Sequence, residues 1–183
     1  RQLNAFERAR LTDAILELQT GTVESRVAPD HTGVGRFEIH TPLSVTGVRG
    51  TDLRIHTTPA VAMTELLSGK AHYDTSTQHL QNLKATQGVS IQADGTSSIV
   101  PLLTAPTLSE PERGTQGWQV SLKPVVGAQH YVVQVSLDPE GSQLVKRYEV
   151  AGDQMIIPLL SSGPGDHYAF IRAVDKDGLM GLD

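Results

Sequence analysis

The chain has no cysteine in its 183 residues, so neither a disulfide nor a thiolate metal site can form. Aromatic residues make up only 4%. Any core must therefore be built from Val, Leu and Ile. No apolar run approaches the roughly 18 residues that a membrane-spanning helix needs. The net charge is −5, and the longest basic cluster is the pair Lys146-Arg147. That argues against nucleic acid, whose binders carry a concentrated basic face. Catalytic signatures are missing too. There is no Gly-x-Ser-x-Gly elbow, no HExxH and no phosphate-cradling glycine loop. The seven histidines are scattered, so the sequence offers no catalytic residue, metal ligand or cofactor site. Asp175-Lys176-Asp177-Gly178 lacks the length and closing Glu of a calcium loop and reads as a turn.

What is present is short alternation broken by turn residues. Seventeen glycines and ten prolines are spread along the chain, which is the punctuation of short strands. Ala14, Leu16 and Leu18 fit one face of a strand over Asp13–Leu18, with a second strand at Thr22–Val27. The first ten residues read as a short helix or a loose end. Phe37, Ile39 and Thr41 alternate with Glu38 and His40. Leu43 and Val45 continue the pattern after Pro42, and Leu53 and Ile55 resume it after a turn at Val48–Thr51. Two further units, 64–73 and 83–91, read as strand, glycine turn, strand. Gly50, Gly69 and Gly88 lie 19 residues apart. That spacing suits either stacked coils of a small solenoid or a β-meander with hairpins of similar length. Glu17, Glu24, Glu38 and Glu65 are expected on a solvated face.

Residues 101–116 are rich in Pro and polar residues and read as a linker. A first domain, 1–100, would precede it and a second, 117–183, would follow. In the second, strands recur every ten to fifteen residues with clear turns, the pattern of a β-sandwich. Trp118, Tyr131, Tyr168 and the Ala173–Gly178 hairpin resemble a fibronectin type III domain, whose core Trp118 and Tyr131 would anchor. Its last strand, after Leu179-Met180-Gly181, reads as cut short. With Arg1 rather than Met at the start, the sequence reads as a piece of a longer protein.

The first part resembles the FecR domain over roughly Asp13 to Ile91. The likeness is carried by Glu17-Leu18 with Gly21, Phe37-Glu38-Ile39, Thr41-Pro42, Val48-Arg49-Gly50-Thr51 with Leu53, and Glu65-Leu66 through Gly69. Val-Arg-Gly-Thr is its specific part. The resemblance implies an all-β protein, a short wound, solenoid-like domain followed by an immunoglobulin-like sandwich, working without catalysis in the bacterial periplasm. It implies an envelope protein as partner, and peptidoglycan through a module upstream of Arg1. The founding member of the family relays iron-siderophore signals from an outer-membrane transporter to a sigma factor. Scaffold, iron-uptake regulator and wall-glycan binder are thus the three functional expectations. The motif residues Thr41, Pro42, Val48, Arg49, Gly50, Thr51 and Gly69 are expected to hold structure: Pro42 fixing a corner, Gly50 taking a left-handed conformation and Thr51 satisfying a backbone group.

Overall fold

The computed structural model describes residues 13–26, 36–115, 117–160 and 164–183. The expected helix or loose end at residues 1–10 and the glycine at 163 lie outside them. All regular structure among the described residues is β-strand, which is the expected all-β class. No helix there is long and apolar enough to cross a membrane. The chain divides into two compact units, Arg1–Leu102 and Leu103–Asp183.

Among the described residues the first unit is one eight-stranded sheet built from β1 (Asp13–Glu17), β2 (Gly21–Arg26), β3 (Arg36–His40), β4 (Ser44–Thr57), β5 (Val61–Thr75), β6 (Gln81–Lys84), β7 (Gln87–Gln92) and β8 (Ser97–Pro101). β1 lies parallel to β3, and every other pairing is antiparallel. The winding is therefore a curled meander and not a stack of solenoid coils.

Three of its hairpins turn on threonines spaced 17 residues apart, at 41, 58 and 75. The Thr41 N–H donates to the Ser44 carbonyl at 2.8 Å, and the Ser44 N–H donates back to Thr41 Oγ1 at 2.9 Å. Thr58 with Val61, and Thr75 with Gln78, repeat the same exchange. A threonine hydroxyl here replaces a backbone acceptor in a tight reversal. Pro42 and Pro59 follow the first two threonines and preset the turn conformation.

The long strands β4 and β5 exchange neighbours at their midpoints. β4 pairs β3 along Val45–Val48 and β2 along Asp52–Thr57. β5 pairs β7 along Val61–Leu66 and β6 along Lys70–Tyr73. One aliphatic cluster draws on both halves: Ile39, Val48, Ala71, Tyr73 and Leu83 from one, and Val23, Leu53, Ile55, Leu66, Val89 and Ile91 from the other. A flat sheet could not bring those side chains together, so the sheet folds over them along a crease.

The second unit holds two three-stranded antiparallel sheets over a shared core. One is ordered β13 (Ile156–Pro158), β10 (Gly117–Ser121), β9 (Glu112–Gly114). The other is ordered β12 (Leu144–Ala151), β11 (His130–Ser136), β14 (Tyr168–Val174). Val120, Leu122 and Ile157 from the first sheet meet Tyr131, Val133, Val150, Ile171 and Ala173 from the second. The Tyr131 hydroxyl, fully buried, accepts the Val125 N–H at 2.9 Å.

Three expectations meet different geometry here. Much of the segment read as a linker is bonded into this unit: β9 pairs with β10, Leu108 bridges Leu122, and the Leu103 carbonyl accepts the Leu182 N–H. Residues 180–182 run beside β14, with Met180 bridging Val174 and the Gly181 N–H bonding the Ala173 carbonyl. Trp118 is not the core anchor. It sits at the start of β10, 47% exposed, with the Arg113 guanidinium 5.6 Å from its ring centre. Tyr131 takes the central place because its hydroxyl finds a buried backbone donor, whereas Trp118 lies past the end of the apolar row Val120-Leu122.

Candidate functional site

The motif residues meet at the crease. Val48, Arg49, Gly50 and Thr51 lie on β4, and Gly69 lies on the adjoining stretch of β5. The sequence reads chain reversals at Gly50 and Gly69, but both strands continue through these positions without reversing. Pairing slips between Arg49 and Leu53, and the extra residues form a bulge. Gly50 has φ 58° and Gly69 φ 82°. A Cβ on Gly69 would lie 2.5 Å from the Gly50 carbonyl oxygen and 2.7 Å from Thr51 Cγ2. Two glycines thus let the backbones of β4 and β5 close on each other where both bend. Alternation looks the same on either side of a bulge and a turn, so spacing alone could not separate them.

The crease continues onto the next strand, not at Gly88 but at Thr86, which also has positive φ, 64°. Its N–H donates to the Leu66 carbonyl at 2.7 Å, where β6 gives way to β7. The 19-residue glycine period is therefore two crease positions and one coincidence: Gly88 pairs with Glu65 inside the regular ladder.

Thr51 does not satisfy a backbone group. Its Oγ1 is buried and makes no hydrogen bond among the described residues, while its methyl packs toward Gly69. Thr51→Val should therefore be neutral or stabilising by up to about 1 kcal/mol, because it removes an unmatched buried hydroxyl and keeps the shape. Thr51→Ser, which keeps the hydroxyl and loses the methyl, should destabilise. Urea unfolding of the two variants measures the sign. Thr41 and Pro42 form the first hairpin, away from the crease. The Arg49 backbone pairs with Lys70, and the side chain of Arg49 lies outside the described residues.

The face opposite the aliphatic core carries a polar row that sequence reading placed in solvent. Arg54 on β4 stands in register between Glu24 on β2 and Glu65 on β5. Arg54 Nε lies 2.9 Å from Glu65 Oε2, with side chains only 1% and 2% exposed. On the other half of the sheet, Glu38 is buried as well and sits 3.0 Å from His40 Nε2. The His72 ring lies over Gly47, where a Cβ would come within 2.4 Å of the imidazole. The signal for Glu65 was its place opposite Arg54, which can be read only once register is known. Such a pair locks the β4–β5 register, because slipping by one residue would leave two buried charges apart.

No group of metal-ligating side chains gathers among the described residues. The acidic loop at Asp138 is internally satisfied. Burial works against its carboxylate, but the Ser136 and Ser142 hydroxyls and the Gln143 and Ser142 N–H groups donate to it and hold it well below the usual carboxylate range. Asp175 Oδ1 accepts the Asp177 and Leu179 N–H groups, which is the expected turn.

Residues 3–72 match the family model described as FecR protein. No curated protein matches the chain. Among solved structures, two of a "putative anti-sigma factor" from Parabacteroides distasonis ATCC 8503 are similar, at 13% and 14% identity with TM-scores of 0.45 and 0.44. The alignments cover 51% and 50% of this chain but 44% and 43% of those chains, so this chain spans under half of their length. The stretch that matches this model, residues 3–72, takes in both the first threonine hairpin and the crease glycines Gly50 and Gly69.

Proposed function

We propose that this chain is a non-enzymatic protein-binding part of a bacterial envelope regulator, acting in the periplasm of a Gram-negative cell. The observation that carries the reading is the FecR match over residues 3–72, since regulators of that family work by holding partner proteins. The side-chain chemistry agrees. The buried charges Arg54, Glu65 and Glu38 are committed to neighbours within the sheet, and the motif glycines serve backbone packing. The second unit, with sheets ordered β13-β10-β9 and β12-β11-β14, is read as a fibronectin type III-like module that presents its edges and loops to a partner. The proposed domain order is the FecR-like part followed by this module.

Transcript profiling of cells lacking the protein, with and without complementation, tests the regulatory half of the reading. A small set of transcripts that shifts and is restored by complementation is the expected result. Unchanged transcripts would remove the regulator and leave a scaffold. A second reading, contact with wall glycan, is favoured by the exposed Trp118 with Arg113 against its ring, an arrangement on which a sugar face could stack.

A further inference from the structure

The edges of the second unit are not alike. In β13, the Leu122 N–H bonds the Met155 carbonyl and the Leu159 N–H bonds the Trp118 carbonyl. Residues 155, 157 and 159 therefore turn their backbone groups inward to β10, and 156 and 158 turn theirs outward. Position 158 is proline, which has no N–H to offer a newcomer. The first unit uses the same device: the Leu102 N–H bonds the Thr86 carbonyl, which puts Pro101 of the edge strand β8 in an outward-facing position.

β12 has no such block. It is eight residues long, contains no proline and pairs only with β11 among the described residues. The Gly152 N–H bonds the Gln129 carbonyl. By alternation along the register, Val150 and Tyr148 face β11, while Arg147, Glu149 and Ala151 present their backbone N–H and C=O groups outward. Arg147, Glu149 and Ala151 are also exposed, on the face opposite Val150 and Tyr148, which belong to the core.

The order Arg147-Tyr148-Glu149 is self-complementary. Two copies of β12 set antiparallel about a two-fold axis through Tyr148 would place Arg147 of each copy directly opposite Glu149 of the other. Both residues face outward, so each such pair would exchange backbone hydrogen bonds as well as opposite charge. The neighbouring registers set Arg147 against Arg147 or Glu149 against Glu149 and are disfavoured. Among the described residues both charges have only long contacts, Arg147 to the Met180 sulfur at 3.7 Å and Glu149 to His130 at 4.0 Å, which leaves them able to turn across a strand edge.

We infer that the β12 edge is a homodimer interface, in which a second copy of this chain extends the β12-β11-β14 sheet across a two-fold axis at Tyr148. Sedimentation equilibrium on the whole chain and three variants tests it. The wild type should dimerise reversibly in the micromolar range. Arg147→Glu and Glu149→Arg should each weaken the dimer roughly 10-fold or more, since either one turns both cross-strand pairs into like-charge pairs. The double swap Arg147→Glu/Glu149→Arg should restore wild-type dimerisation, and the circular dichroism of all variants should match. A wild type that stays monomeric at several hundred micromolar overturns the proposal. So does a double swap that associates no better than the single variants, because a dimer using another surface would not be rescued by exchanging these two charges.

Discussion

Arg54→Met should cost roughly 3–5 kcal/mol of stability, and Glu65→Leu about as much, whereas the two together should come back to within about 1 kcal/mol of the wild type. Each single change removes one member of an ion pair from a site where the side chains are 1–2% exposed. The double change replaces both ions with apolar groups of similar size, and Glu24, the other acidic neighbour in register with Arg54, is only partly buried. Urea denaturation with linear extrapolation measures all three. A coupling energy near zero between the two positions would show that they do not act as a pair. The expected pattern also assigns the pair its role. It adds little net stability but makes every other β4–β5 register expensive, in a sheet whose two longest strands carry an irregular pairing at the crease.

The second large effect lies at the crease itself. Gly69→Ala should cost about 3 kcal/mol, against about 1 kcal/mol for Gly50→Ala. Both positions have positive φ. At Gly69, however, the new methyl also meets the Gly50 carbonyl oxygen at 2.5 Å, and backbone on both sides of that contact is held by ladder hydrogen bonds. Gly21 supplies the comparison. It too has positive φ, 107°, but nothing lies within 4 Å of where its Cβ would be, so Gly21→Ala should show the conformational penalty alone. If thermal and urea unfolding gave Gly69→Ala and Gly21→Ala the same cost, close packing of β4 on β5 would not be what the motif glycine provides.

The strands were legible in the sequence because alternation is local. Phe37-Glu38-Ile39, Leu53–Ile55 and Tyr131–Val135 each announce their inward face. The kind of glycine was not legible. A left-handed residue ends a hairpin at one site and bends a continuous strand at another, and only the partner strand decides between them. The true repeat was written in threonine, with Thr58-Pro59 echoing Thr41-Pro42, but glycine spacing drew attention to a period that holds at two crease positions and fails at Gly88. Charge burial was hidden for a related reason. Glu65 looks like a solvated strand residue until register sets it opposite Arg54, and Trp118 looks like a core anchor until its place at the mouth of β10 is seen. Long-range pairing governs all of these, and a single sequence does not display it.

The reading of this chain as a protein-binding envelope module is most directly tested by crosslinking capture from a periplasmic extract, run beside co-sedimentation with purified cell-wall sacculi. A specific envelope protein should be captured, should bind the purified chain saturably in a reconstituted assay, and should do so without sacculus binding. Saturable sedimentation of this chain with sacculi, lost on Trp118→Ala and with no protein captured, would contradict it and give the function to the glycan.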